Sequence, residues 1–342
     1  MTADTRRPAR RSFVHGALAL GAALGMAAAV AVTAGPALAA GTVRVAFGDI
    51  ASVETLHFLI ALERAKERGV DVAVTYFKSE DLAAQAVVGG QADIGVGAPY
   101  ALVQKVRAPI RFFYQMSTLN FYPIVNTQKY RSWKDLDGQE ITVHSRGSGT
   151  EAIMRLMADK HGITYKTISY VPGSEVRAGA MLQGTINASI VDSTNRRILM
   201  EKAPDRFAVL PMEGVSATDE ALYANTDYLT REMDVIEILV ESLVTTWREV
   251  NDDPDAVAAL RERYNLLPDL PRELEADIGP YFHEAADSRM LPLNGGGEEA
   301  VADDFAFYTL SGQLEGEAAA LKVADFWDLR PLDAVLAKVG RR

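Results

Sequence analysis

The order of strand-like and helix-like segments in this chain occurs twice. A buried-strand run "VRVAF" from Val43 leads into a helical stretch that ends at Gly69, then a second strand "DVAVTYF", a helix opening at Ser79 and a third strand "ADIGVG". Further along come "ITVHS" from Ile141, a helix from Thr150 to His161 stopped by Gly162, the strand "YKTISY", and "SEVRAGAMLQGTINASIVD" in the place of "SEDLAAQAVVGGQADIGVG". The spacing agrees, with 21 positions from Gly69 to Gly90 and 22 from Gly162 to Gly184. Alternating βαβ units imply mostly parallel sheets with helices on both faces, because a parallel neighbour is reached only through a crossover. Recurrence of the whole order implies two α/β lobes built on one plan.

Two connecting stretches divide the lobes. The segment "NFYPIVNTQKYRSWKDLDG" leaves the first lobe in extended form through Pro123, and "EALYANTDYL" returns to it after "RFAVLPM". The expected boundaries are 40–124 for the first part of lobe one, 125–219 for lobe two, and 220–342 for the return to lobe one and the C-terminal helices. From Thr230 onward the pattern is helical, with a long helix through Trp247, another begun by Pro254 and a last one with Pro331 in its first turn. These helices have to cover the first lobe's sheet.

Residues 1–39 read as an export signal rather than as fold. Arg10-Arg11-Ser12-Phe13-Val14 precedes an Ala/Gly-rich run and a small-x-small end at Ala37, Leu38 and Ala39, which suits twin-arginine export and cleavage near Ala39. The alternatives are a general secretory signal, because Ala9 and His15 depart from the twin-arginine pattern, and an uncleaved anchor, because Gly16 to Gly35 is about long enough to span a bilayer. Gly35-Pro36 and the small-residue end fit a cleaved signal better. A periplasmic location is therefore expected. The chain has no cysteine, so neither disulfides nor a lipid attached through cysteine is available, and stability must come from packed core. Beyond residue 39 there are 31 basic and 45 acidic residues, a net of about −14. That balance argues for solubility and against nucleic acid or an anionic membrane as a partner.

In open parallel sheets, ligands bind beyond the carboxyl ends of the strands. The loops at those ends are Gly48 to Ser52, Lys78-Ser79, Gly97 to Tyr100, Gln115 to Tyr122, Ser145 to Thr150, Gly173-Ser174 and Asp192 to Asn195, all small and hydroxyl-rich with interleaved aromatics. Gly147 to Thr150 begin a helix, where unpaired amides carry partial positive charge and can meet an anionic or strongly accepting group. The alternative is that Ser148 or Thr150 only caps the helix. Asp192 closes the strand "NASIVD" at the same edge, and a cap for the next helix is again the alternative. Neither nucleotide-loop pattern is present. The four histidines beyond the signal, His57, His144, His161 and His283, form no metal-spaced pair. There is no Gly-x-Ser-x-Gly, and the helix dipole explains Glu80-Asp81. No catalytic residue, metal or cofactor is expected.

The stretches "AAQAVVGGQADIGVG", "DLDGQEITVHSRGSGTEAIMRL", "GAMLQGTINASIVD" and "ALYANTDYLTREMDVIEILVESLVTTWREVNDDPDAV" together resemble the solute-binding proteins of ABC importers for nitrate, sulfonates, taurine and thiamine-precursor pyrimidines. The resemblance covers nearly all of the chain after the signal. It implies a type II periplasmic-binding-protein fold, two lobes joined by two hinge strands and closing on a ligand. It also implies a monomer that serves an inner-membrane permease and its ATPase. Related yeast pyrimidine-synthesising proteins carry a cysteine-rich motif that this chain lacks, which weighs against an enzyme. A ligand sensor for a signalling receptor is the other alternative. The expected binding residues are Asp49, Ser52, Tyr100, Ser117, Asn120 and Tyr122 from lobe one and the crossover. Facing them are Ser148, Gly149 and Thr150 as donors, with Ser174, Asp192 and Thr194 orienting the ligand. The amide loop favours a sulfonate, nitrate or carboxylate, whereas Asp49, Asp192 and the aromatics favour an amine or a heteroaromatic ring.

Overall fold

A computed structural model describes residues 41–212 and 215–342, so the expected export segment lies outside the described residues. The first half of the repeat forms β1 (Val43–Phe47), α1 (Leu56–Glu67), β2 (Val72–Tyr76), α2 (Glu80–Val88), β3 (Ile94–Gly97), α3 (Tyr100–Lys105) and β4 (Ile110–Gln115). After the crossing come β5 (Tyr122–Asn126), β6 (Glu140–Val143), α4 (Gly149–His161), β7 (Thr167–Tyr170), α5 (Ser174–Gln183), β8 (Ala188–Val191), α6 (Ser193–Lys202) and β9 (Phe207–Val209). The chain then returns through β10 (Ala221–Asn225) to α7 (Thr226–Arg231), α8 (Met233–Asp252), α9 (Ala256–Tyr264), α10 (Arg272–Glu275), α11 (Ile278–Asp287), α12 (Glu298–Leu310), α13 (Val323–Phe326) and α14 (Arg330–Val339).

Two five-stranded sheets result, ordered β2-β1-β3-β10-β4 and β7-β6-β8-β5-β9. Each is parallel except for one strand. β10 pairs antiparallel with both β3 and β4, and β5 pairs antiparallel with both β8 and β9. The antiparallel strand in each lobe is the one that arrives from the other, so the two crossings are built into both cores. Gly69, Gly90, Gly162 and Gly184 have φ of +89°, +72°, +59° and +80°. Each turns the chain in left-handed geometry after a helix, where a side chain would be strained. The shared glycine spacing is thus a backbone requirement met twice.

β3 and β8 are buried along their whole length, as strands covered on both faces are. The first sheet is covered by the returning helices. α8 buries Val235, Leu239, Leu243, Trp247 and Val250 and packs against α1, α11 and α14. The indole N–H of Trp247 donates to the carbonyl of Met116 at 2.6 Å, tying α8 to the start of the outgoing crossing. The crossings pair with each other. Met116 N–H donates to Glu220 O at 2.8 Å, Leu119 N–H to Ala217 O at 2.9 Å and Asp219 N–H to Ser117 O at 2.9 Å, giving a short antiparallel ribbon as the hinge. Among the described residues no helix is long and apolar enough to cross a membrane.

Candidate ligand-binding site

A cavity lies between the sheets where the strand ends of both lobes converge. Gly48 and Asp49 reach it from the end of β1, Glu54 and His57 from the turn into α1, and Glu80 from the start of α2. Ser148, Gly149 and Thr150 enter from α4, and Ser174 and Arg177 from α5. Ser117, Asp219 and Glu220 come from the hinge ribbon itself. About 60 Å3 is open to the centre of a water molecule, room for roughly four to six waters or the head of a small ligand.

The α4 loop is largely occupied with its own structure. Ser148 Oγ accepts from Glu151 N–H at 3.4 Å, donates to Ser145 O at 2.8 Å and lies 2.8 Å from Thr150 Oγ1, which in turn accepts from His144 N–H at 3.1 Å. The Gly147 amide donates to Glu151 Oε2 at 2.6 Å. Of the four loop amides, only that of Ser148 has a backbone acceptor, Ser145 O at 3.3 Å, and those of Gly149 and Thr150 have no acceptor among the described residues. Ser148 is thus a helix cap that also lines the cavity, and the two readings of this loop are compatible. A side chain at 149 would begin 2.6 Å from Leu119 Cδ2 and 3.1 Å from Asp219 Oδ1. The Asp219 carboxyl of the hinge therefore stands beside the start of α4.

Acidic groups dominate the wall. Burial pushes the Asp49 carboxyl up to about 6, with Asp192 adding to the rise while Arg177 and the Ile50 amide oppose it. Burial likewise pushes Glu80 up to about 7, its amide bond from Ala98 partly offsetting the rise. Glu54, Asp219 and Glu220 are pushed upward by burial first and then by neighbouring carboxylates. The one permanent cation on the wall is Arg177, 1 % exposed, and three of its N–H groups are committed to Ile190 O, Val171 O and Ser174 Oγ at 3.0, 2.8 and 2.9 Å. Burial drives His57 and His144 down to about 3, so both rings are neutral at pH 7. His144 Nε2 lies 3.2 Å from Gly48 O and Nδ1 accepts from Gly173 N–H at 3.4 Å, which makes Nε2 the protonated nitrogen and the ring a bridge between lobes. Among the described residues, no three His, Cys, Asp or Glu side chains are arranged to hold a metal ion.

Of the residues expected from sequence, Asp49, Ser117, Ser148, Gly149, Thr150 and Ser174 line this cavity. Ser52, Asp192 and Thr194 line an adjoining pocket of about 50 Å3, and Glu54 belongs to both. Asp192 also caps α6, its carboxylate accepting from Asn195 N–H at 2.7 Å. Asn120 and Tyr122 do not line the cavity. The Tyr122 hydroxyl donates to Glu284 at 2.7 Å, with the Arg196 guanidinium 4.1 Å from its ring centre. Tyr100 lies elsewhere altogether, fully buried among Phe112, Phe326 and Tyr308, its hydroxyl donating to Asp304 at 2.5 Å and accepting from the Trp327 indole at 2.7 Å. It starts α3 at the correct strand end, but its side chain turns into the apolar layer beneath. Glu54, Arg177, Asp219, Glu220, Tyr281 and Met290 are wall residues that no sequence pattern marked, and His57, Glu80 and His144 are wall residues that the patterns had assigned no binding role. An acidic pair immediately before a returning strand was the available signal for Asp219 and Glu220.

A family model described as NMT1/THI5 like matches residues 59–257, more than half of the chain. No curated protein sequence matches it. Among solved structures, a ligand-binding component of an ABC-type import system from Staphylococcus aureus, with zinc bound, superposes with a TM-score of 0.63 at 11% identity, covering 86% of this chain and 98% of that one. The alkanesulfonate-binding protein SsuA from Xanthomonas axonopodis pv. citri, bound to MOPS, gives 0.63 at 16% identity over 84% and 98%. The periplasmic nitrate-binding protein NrtA from Synechocystis PCC 6803 gives 0.65 at 11% identity over 87% and 89%. With two mixed sheets exchanging a strand and a cavity between them, the chain has the periplasmic-binding-protein fold and belongs to the NMT1/THI5-like family.

Proposed function

We propose that this protein is the substrate-binding component of an ABC importer. In this reading it is exported to the periplasm, its residues 1–39 are removed, and it works as a monomer. It captures a small polar molecule between lobe one (40–124 with 220–342) and lobe two (125–219) and hands it to a permease and its ATPase without chemical change. The observation that carries the reading is the cavity itself. It is walled by both lobes and crossed by a hinge of only two strands, so opening and closing of the lobes is the natural route for a ligand. The resembled thiamine-pyrimidine enzymes carry a cysteine-rich motif, and its absence here weighs against that alternative.

Thermal-shift screening of sulfonates, nitrate, amines and aminopyrimidines, followed by small-angle scattering with the best binder, tests this. A bound molecule recovered unchanged, together with a more compact particle, supports the receptor. Chemical conversion of the bound molecule would replace the receptor by an enzyme. Loss of uptake of that molecule on deleting the gene, with chemotaxis intact, separates import from sensing.

A further inference from the structure

We propose that the ligand is a small organic cation bearing N–H groups, an ammonium or amidinium held by Asp49, Glu54, Glu80, Asp219 and Glu220, and not a sulfonate or nitrate. This rests on the receptor reading above and names the substrate class of its site. Five carboxyl groups from four separate stretches of chain converge on one cavity. Two further carboxyls, Asp192 and Glu175, border the adjoining pocket. Against them stand one guanidinium, Arg177, already bonded to two carbonyls and a hydroxyl, and two neutral imidazoles. Like charges so placed oppose one another, and burial removes the water that would screen them. Protons or a cation must therefore make up the difference.

A second observation points to a ligand independently of the acids. His57 lines the cavity, is 4 % exposed, and neither ring nitrogen has a hydrogen bond of ordinary geometry. Its ring is wedged at 4.5 Å from Trp247 and 5.7 Å from Phe282, so it cannot turn away to find a partner in water. Glu54 Oε1 is likewise buried without a partner. Buried polar groups are normally paired, and a neutral imidazole beside a lone carboxylate oxygen offers two acceptors to a ligand's N–H groups. An incoming anion would meet these acceptors and the Asp219 carboxyl at the α4 terminus, so Arg177, the His57 N–H and the free Gly149 and Thr150 amides would have to hold it against five carboxyl groups. Acceptors of this kind, set in an apolar frame of Trp247 and Phe282, suit the N–H groups of an organic cation.

Calorimetry on the exported protein tests the inference with ethanolamine, putrescine and guanidinium as cations, ethanesulfonate and nitrate as anions, and taurine carrying both groups. Binding of at least one cation and of neither anion is expected, with Glu220→Gln and His57→Phe each weakening that cation at least tenfold. Asp219→Asn serves as a second carboxylate variant should Glu220→Gln fail to fold. Binding of ethanesulfonate or nitrate with no cation bound overturns the cation and leaves the receptor standing. Silence from every probe of both classes also overturns it. Conversion of a bound amine into another compound would leave the cation in place and overturn the receptor.

Discussion

Arg197 on α6 grips Asp277, the residue before α11, through both carboxylate oxygens, with Nη2 at 2.9 and 2.8 Å and Nε at 3.0 Å from Oδ1. The same guanidinium also bonds Glu284, which Arg196 approaches at 3.2 Å. α6 belongs to the second lobe and α11 packs on the first, so these pairs fasten one lobe to the other. The resemblance implied that the lobes close on ligand, and an ion-pair network now holds them together beside the hinge.

Replacing Arg197 with alanine removes the bidentate pair, and the partial exposure of both partners limits the loss to about 1 kcal/mol. The expected result is a larger radius of gyration without added ligand and an affinity weaker by several-fold, since part of the binding energy must then be spent on closing. Raising the salt concentration should expand the parent in the same direction. Equal scattering profiles for mutant and parent would remove the latch.

The Gly149 and Thr150 substitutions should separate by readout. A side chain at 149 meets Leu119 at 2.6 Å across the lobe boundary, so Gly149→Val is expected to hinder closure and weaken binding at least tenfold. Thr150→Ala loses the hydroxyl that serves His144 N–H and Ser148, an expected cost of about 0.5–1.5 kcal/mol in stability with affinity little changed. Chemical denaturation and calorimetry on both variants check the ranking, and an affinity loss confined to Thr150→Ala reverses it.

Tyr100→Phe tests the reassignment of that residue to the core. The change strips Asp304 of one of its donors and leaves the Trp327 indole without its acceptor, at about 1–3 kcal/mol. Asp304 also accepts from Thr218 N–H at 2.6 Å and Thr218 Oγ1 at 2.8 Å, so the network anchors α12 to the returning crossing. Lower stability with unchanged ligand affinity is the expected pair of results. Weakened affinity at parental stability would return Tyr100 to the binding residues.

These cases show what the chain made legible. The lobes could be read because glycines such as Gly69 and Gly162 end equivalent helices in a conformation only glycine adopts easily, and because buried parallel strands are apolar on both faces. Loop position alone found Asp49, Ser117 and the α4 terminus. It could not tell that Tyr100 points under the sheet, because the direction of a side chain depends on what packs beside it. Glu80 looked like a helix-start carboxylate and is one, yet it also faces the cavity. Arg177 reads as the polar face of α5, and only the packed structure turns it inward. His57 owes its isolation to Trp247 and Phe282, which return from far along the chain.

Without ligand, stability should fall as pH rises from about 4 through about 7. Asp49 and Glu80 at the cavity and Asp304 in the α12 network have folded-state values raised to about 6, 7 and 7, so between pH 4 and 7 the folded chain holds protons that the unfolded chain has lost. A state that binds more protons loses stability as pH increases. Glu54, Asp219 and Glu220 act in the same direction. His57 and His144 act oppositely. Their folded-state values of about 3 lie below the ordinary histidine value, so stability is lost as pH falls from about 6.5 toward 3. These six raised carboxyls, joined by Glu175, outweigh two lowered imidazoles and leave the acids dominant above pH 5. The melting temperature without ligand should therefore be higher at pH 5 than at pH 8, and Glu220→Gln should narrow the difference by raising the value at pH 8. A melting temperature that climbs steadily from pH 5 to pH 8 would mean that the carboxyls are paired or solvated in the folded protein, and the acidic wall would then lose its claim to need a counter-charge.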